Sequence, residues 1–107
     1  MTKPATLTNE QKKRYRTIGH ALNPVVMIAE KGLSESVLNE VARALEDHEL
    51  IKVRISVGDR ETKNQLISEL CANCKAQLVQ KIGNIVLIYR KARERNNKLS
   101  NLVKYQS

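Results

Sequence analysis

Two cysteines, Cys71 and Cys74, and two histidines, His20 and His48, are the side chains of this sequence best suited to covalent, redox or metal chemistry. The Cys-Ala-Asn-Cys spacing is that of a dithiol redox motif, but reactive pairs gain a low thiol pKa at a helix N-terminus. Apolar periodicity puts this pair near the C-terminus of its helix, where the dipole opposes a thiolate, so the expected role is that of buried small hydrophobes. The histidines lack the partner spacing of a metal site. Both stand at element ends, His48 as a capping and dipole partner and His20 closing a first helix by hydrogen bonding. No glycine-rich nucleotide loop, nucleophile triad or carboxylate pair is present. What remains is the chemistry of cations.

Lys and Arg number 19 against 11 Asp and Glu in 107 residues, a formal net charge of +8. The excess is uneven: residues 1–20 carry five basic groups against one acidic, 21–50 two against six, 51–89 six against three, and 90–107 six against one. A one-sided basic surface attracts a polyanion, nucleic acid before lipid. No apolar run is long enough to span a membrane, the first residues lack the apolar region of a signal peptide, and two cysteines make no disulfide framework. The cytosol is the expected compartment. Phe and Trp are absent and Tyr15, Tyr89 and Tyr105 are the only aromatics, so the core must be aliphatic. Base-stacking platforms are correspondingly scarce, which points to recognition through phosphates, sugars and shape with low sequence preference.

Elements must position these cations. Thr8 can cap a helix over residues 9–18, ending near Gly19 or His20, with a thin apolar stripe of Leu7, Tyr15, Ile18 and Leu22. Pro24 drives Asn23 to extended backbone, and residues 25–28 read as a short buried strand. Gly32 marks a turn, and Ser34 caps a helix to about Asp47 whose Val37, Leu38, Val41, Ala44 and Leu45 share a face. Residues 50–57 alternate as only a strand does, with Ile51, Val53, Ile55 and Val57 to one side and Lys52, Arg54 and Ser56 to the other. After Gly58 and Asp59 a third helix starts at about Arg60 or Thr62, with Thr62 and Gln65 at capping-box spacing. Residues 76–82 and 85–90 form two strands about Gly83-Asn84, a hairpin signal. The expected fold is α/β: a small four-stranded mixed sheet in the order helix–β-α-β-α-β-β, with helices packed mainly on one face. Residues 1–90 read as one domain, and 91–107 as a basic C-terminal tail, either a frayed helix or mobile.

The runs Ile18-Gly-His-Ala-Leu-Asn-Pro-Val-Val26, Lys31-Gly-Leu-Ser34 and Ala44-Leu-Glu-Asp-His-Glu-Leu-Ile-Lys-Val-Arg54 resemble the CRM domain family (chloroplast RNA splicing and ribosome maturation), in its stand-alone bacterial YhbY-type form. Asp59-Arg-Glu61, Leu78-Val-Gln-Lys-Ile-Gly83 and Leu87-Ile-Tyr-Arg90 extend the likeness to residues 7–90. The resemblance implies KH-like features, RNA binding and association with precursors of the large ribosomal subunit. The family's first strand-to-helix loop usually reads Gly-x-x-Gly and brings backbone amides against RNA phosphates, as a KH loop does. Here the loop is Ala29, Glu30, Lys31 and Gly32. Ala in the first place costs on the order of 1–2 kcal/mol if that place needs positive φ, and little if it needs only close approach.

The RNA-binding residues expected on these grounds are Ala29, Glu30, Lys31, Gly32, Lys52, Arg54, Arg60, Lys63 and Arg90, with Lys81 as a further candidate. Lys12, Lys13, Arg14 and Arg16 are expected as secondary phosphate contacts. The whole describes a monomeric, non-catalytic, cytoplasmic protein whose partner is ribosomal RNA in pre-50S particles. It would need no metal, cofactor, small-molecule substrate or membrane. Two other functions fit parts of the sequence: a general RNA-binding module not tied to the ribosome, and a thiol redox enzyme using Cys71 and Cys74.

Overall fold

The computed structural model describes residues 7–29 and 32–104. The elements run α1 (Asn9–Gly19), β1 (Pro24–Ile28), α2 (Glu35–His48), β2 (Leu50–Ile55), α3 (Arg60–Cys74), β3 (Gln77–Ile82), β4 (Ile85–Tyr89) and the single turn α4 (Asn101–Lys104). Local chemistry starts each long helix. The Thr8 hydroxyl accepts the Gln11 N–H at 3.1 Å while the Gln11 side chain accepts the Thr8 N–H at 2.9 Å, a complete capping box. Ser34 accepts the Val37 N–H at 3.2 Å. Helix α3 is capped by Asp59 rather than by Thr62: one Asp59 carboxylate oxygen accepts the Thr62 N–H at 3.0 Å and its hydroxyl at 2.7 Å. A charged oxygen engaging both donors outcompetes the hydroxyl as a cap, which places Thr62 inside the first turn.

The strands lie in the order β1-β2-β4-β3. β1 and β2 are parallel through the α2 crossover, and β4 is antiparallel to both its neighbours. β3 therefore runs with β2 but does not touch it, because the Gly83-Asn84 hairpin folds β4 back into the gap. Gly83 takes φ +54°, the left-handed backbone such a tight turn requires.

Alternation along the strands separates two faces. On the first, Val26, Ile28, Ile51, Val53, Ile55, Val86 and Ile88 pack against Val41 and Leu45 of α2 and Leu66, Ile67 and Leu70 of α3. On the second, Tyr15 and Ile18 of α1 and the preceding Leu7 pack onto Leu50, Val79 and Leu87, with Leu102 closing the cluster. A Cβ on Gly19 would stand 2.7 Å from a Leu87 methyl, so the end of α1 rests its backbone directly on β4. The packing expected mainly on one face holds for the two crossover helices, and α1 with the C-terminal segment covers part of the other. β1 departs from the buried strand its apolar run suggests: Val26 and Ile28 are buried, but Val25 is 48% and Met27 61% exposed. It is an edge strand, and α1 ends before reaching it.

Residues 91–104 are not a loose tail. They are fastened by Glu49, the single residue between α2 and β2, which has φ 63° and is only 1% exposed. Its carboxylate accepts the Ala92 N–H at 2.9 Å, the Ser100 hydroxyl at 2.8 Å and Arg95 Nε at 2.6 Å. Its backbone carbonyl accepts the Arg90 N–H at 2.9 Å. Glu46 accepts the N–H groups of Arg93 and Glu94, and the His48 ring donates from Nδ1 to the Leu99 carbonyl at 2.9 Å. The sequence showed few apolar anchors here because the anchors are polar.

Burial pushes the Glu49 carboxyl up, but the Ala92 N–H, the Ser100 hydroxyl and Arg95 outweigh it and hold the group below its ordinary value of 4.5. The stability this carboxylate contributes is thus present above pH 4.5 and is lost as pH falls through the lower folded-state value. Glu49→Ala leaves buried donors unpaired and should cost about 2–4 kcal/mol in urea unfolding. Glu49→Gln should flatten the acid limb of stability against pH, and hydrogen exchange should quicken across residues 91–104 in both variants. Unchanged protection of those amides would rule out the fastening role.

Candidate nucleic-acid interface

The cations divide between the two ends of the sheet. At the end where β1 and β2 finish, three connections come together: residues 29–34 leading into α2, residues 56–59 leading into α3, and the β3–β4 hairpin. Ser56 donates its N–H to the Ile28 carbonyl at 2.7 Å, and the Ile55 N–H reaches the Asn84 carbonyl at 2.6 Å. Crossover helices begin at this end, so the N-termini of α2 and α3 both face it, as in open α/β sheets that bind ligands beyond the carboxyl ends of their strands.

Within this end the first loop closes through a Gly32 N–H to Ala29 carbonyl bond of 2.9 Å. Gly32 has φ +78°, and a Cβ there would meet only Leu66 Cδ2 at 3.6 Å, so backbone conformation rather than space calls for glycine. Among the described residues the non-glycine positions with positive φ are Glu49 and Lys75, so Ala29 takes ordinary backbone, and the cost that positive φ would carry there does not arise. Glu30 and Lys31 lie outside the described residues, as does Tyr105. Ser34 takes the Val37 amide, and the other first-turn N–H groups of α2 are what an anion can engage. The N-terminus of α3 is already served by Asp59, whose carboxyl the Thr62 hydroxyl and N–H hold below the ordinary range. Arg60, the first residue of α3, is exposed, and Lys63 bonds the Asn84 side chain in the hairpin. Arg54, near the end of β2, is exposed on the second face.

Other expected residues stand elsewhere. Lys52 is on the second face with Arg54 but one cross-strand row back, half-buried beside Leu87. Lys12, Lys13, Arg14 and Arg16 lie on α1, which covers that same face; Lys13, Arg14 and Arg16 are exposed and Lys12 half-buried. Lys81 pairs with Val86, so it points to the first face and bonds Asn64 of α3. Arg90 sits at the opposite end of the sheet and does not join the others. Its guanidinium donates to the Ala42 carbonyl at 3.0 Å and the Cys74 carbonyl at 3.2 Å, with Glu46 at 3.6 Å. A cation there joins α2 to the C-terminus of α3, where the dipole favours it. Lys75, Arg93 and Arg95 stand at the same end, beside Glu46 and Glu49. Arg90, Arg93 and Arg95 thus complement the acidic C-terminal half of α2, while the cations without an ion pair among the described residues include those of α1, Lys52, Arg54 and Arg60, and also Lys75, Lys91, Lys98 and Lys104.

The thiols are placed as small apolar groups. Cys74 is buried in the first-face core and Cys71 packs against it. Burial, then the neighbouring Cys74, pushes the Cys71 thiol up to about 11, and burial raises Cys74 as well. His20 closes α1 through its backbone N–H, on the Thr17 carbonyl at 3.3 Å, while its side chain is exposed. Among the described residues no three His, Cys, Asp or Glu side chains group as metal ligands.

The exposed apolar residues Met27 and Ile82, at 61% and 54%, border this end and were not singled out in the sequence. The signal was present in the strand parity: both fall on the same side as Arg54. It was hidden in β1 because the run Pro-Val-Val-Met-Ile shows no polar alternation.

Comparison with known proteins bears on the family and the fold. The model of the CRS1 / YhbY (CRM) domain matches residues 7–90. A protein of Pseudomonas aeruginosa named as a probable RNA-binding protein is 50% identical over 99 residues, covering 92% of this chain and 95% of its own length. A Haemophilus influenzae RNA-binding protein is 46% identical over 89 residues, covering 83% and 90%. The solution structure of a hypothetical Staphylococcus aureus protein, presented as an RNA-binding candidate, superposes with TM-score 0.72 at 32% identity, covering 83% of this chain and 93% of that one.

With Cys71 at about 11, alkylation of the folded protein at neutral pH should be about tenfold or more slower than that of the unfolded chain. Labelling as fast as in the unfolded chain would return these cysteines to consideration as nucleophiles.

Proposed function

The chain belongs to the CRS1/YhbY (CRM) domain family, and from that membership we propose that it is a non-catalytic RNA-binding protein that associates with precursors of the large ribosomal subunit and assists their assembly. The observation that carries the RNA reading is the sheet free of acidic residues with exposed cations beside it. At the C-terminal ends of α2 and α3, Arg90 and Arg95 are matched by Glu46, Glu49 and helix carbonyls. Cations at the loop end and on α1 have few such partners, and no residue of the four strands is acidic.

The proposed contact uses the amides after Gly32 at the start of α2 for one phosphate, with Arg54, Arg60 and Lys63 flanking it. Lys52 and the cations of α1 extend the contact along a structured RNA. Phosphate contacts of this kind position the partner and carry little sequence information. The ribosomal assignment is supported by the His48-Glu-Leu-Ile-Lys-Val-Arg54 block and the closing Tyr89-Arg90, the features that resemble the ribosome-maturation family. The structure supplies their physical role: they hold Glu49 and Arg90, the residues that lock the helix C-termini, and Lys52 and Arg54.

If about five phosphates are engaged, affinity for a structured RNA should fall roughly a hundredfold between 50 and 200 mM salt. Reversing Lys52, Arg54 and Arg60 to Glu together should weaken binding by about a hundredfold with the fold intact. Arg90→Ala should instead lower stability by about 1–3 kcal/mol. A salt-independent affinity would overturn the phosphate mechanism. In gradient sedimentation of cell extract the protein should travel with precursor large subunits, and migration only with other RNA would leave a general RNA-binding module.

A further inference from the structure

Strand register assembles one row of side chains of which the phosphate contacts use only Arg54. Met27 pairs with Arg54, Arg54 with Ile85, and Ile85 with Ile82, so the four stand side by side across all four strands on the second face. Met27 is 61% and Ile82 54% exposed, Arg54 is exposed and Ile85 half-buried. The next row, Lys52–Leu87–Gln80, is where the end of α1 settles, Gly19 being seated on Leu87. Beyond it no described element covers this face of the sheet. A solvated sheet face carries polar residues at such positions; here three of four are apolar and the fourth is a guanidinium. The row spans roughly 14 Å, three interstrand spacings.

We propose that this row is a platform for unpaired RNA bases, set beside the phosphate contacts, so that the preferred ligand is a structured RNA with a single-stranded segment next to its helix. The inference rests on the RNA-binding reading above. Charge argues for the occupant. No strand residue is acidic, Arg54 stands within the row, and Lys63 meets the hairpin at Asn84 just beyond Ile82 and Ile85. A ligand here must be anionic and offer flat apolar faces. Duplex RNA presents phosphates and sugars while its base faces are stacked inside; unpaired bases present both. With no exposed aromatic ring on the row, the guanidinium plane of Arg54 and the polarizable thioether of Met27 supply the contact.

The test uses the whole protein, a short single-stranded oligoribonucleotide and a fully paired RNA hairpin stem, read by fluorescence anisotropy. Met27→Thr with Ile82→Thr replaces exposed apolar groups by a good strand former, so the fold should persist, as a thermal melt will report. Affinity for the single strand should fall about tenfold, that for the stem should stay within about twofold, and the salt slope should not move. Arg54→Lys, which keeps the charge for a phosphate and loses the plane, should weaken single-strand binding more than stem binding. Equal loss on both RNAs, or none on either, overturns the platform while leaving RNA binding standing. Failure of the unmodified protein to bind either RNA overturns both readings. A wild-type dimer in sedimentation that Met27→Thr with Ile82→Thr dissociates would make the row a contact between copies of this chain, and capture of an acidic apolar protein segment would make it a protein-docking face.

Discussion

A buried carboxylate governs this fold. Helix α2 passes into strand β2 through one residue, and that residue, Glu49, must take a positive φ and bring its side chain inside. A charge removed from water needs partners, and an unpaired one would cost several kcal/mol. The partners come from a distance along the chain: the Ala92 amide, Arg95 and Ser100. The C-terminal segment is therefore drawn back over the α2–β2 turn, where Leu102 can join the cluster under α1 and His48 can reach the Leu99 carbonyl.

This arrangement also decides what the charges of the protein are available for. The acidic C-terminal half of α2 is answered from the 90–104 region, and Arg90 bonds a carbonyl within α2 and the last carbonyl of α3 at once. Lys75 and Lys91 at the same end are exposed and make no ion pair among the described residues. At the other end the connections leave β1 and β2, and Arg54 and Arg60 stand exposed near the helix N-termini, with Asp59 capping α3 and Glu35 and Glu61 in the first turns. The crossover topology makes the two ends chemically unlike, because parallel strands send all their helix starts to one end and all their helix stops to the other. The net charge of +8 is thus a poor measure of the field a partner meets.

The second face of the sheet shows the same economy of means. A thin helix, α1, seals only the rows containing Leu50, Leu87 and Val79, and a glycine at its last position lets it lie close. The row of Met27, Arg54, Ile85 and Ile82 stays open because nothing in the described chain reaches it. That the open row is apolar, cationic and free of acid follows from strand composition, and that it is a row at all follows from register.

Much of this was legible beforehand. The alternation of residues 50–57, the apolar stripe of α2, the caps at Thr8 and Ser34 and the Gly83-Asn84 hairpin are local patterns, and local patterns determine which elements form. They also place Lys52 and Arg54 on one face and the cysteines in a helix end unsuited to thiolates. What only the tertiary structure decided is adjacency. Insertion of β4 between β2 and β3, the edge position of β1 and the recruitment of residues 91–104 by Glu49 each depend on contacts between distant segments. Arg90 illustrates the difference most plainly: as a residue type it suits a phosphate, and its neighbours in the fold make it a staple for two helices. Sequence periodicity specifies which way a side chain faces along its own element, whereas the group it meets is set by burial and pairing across the whole chain.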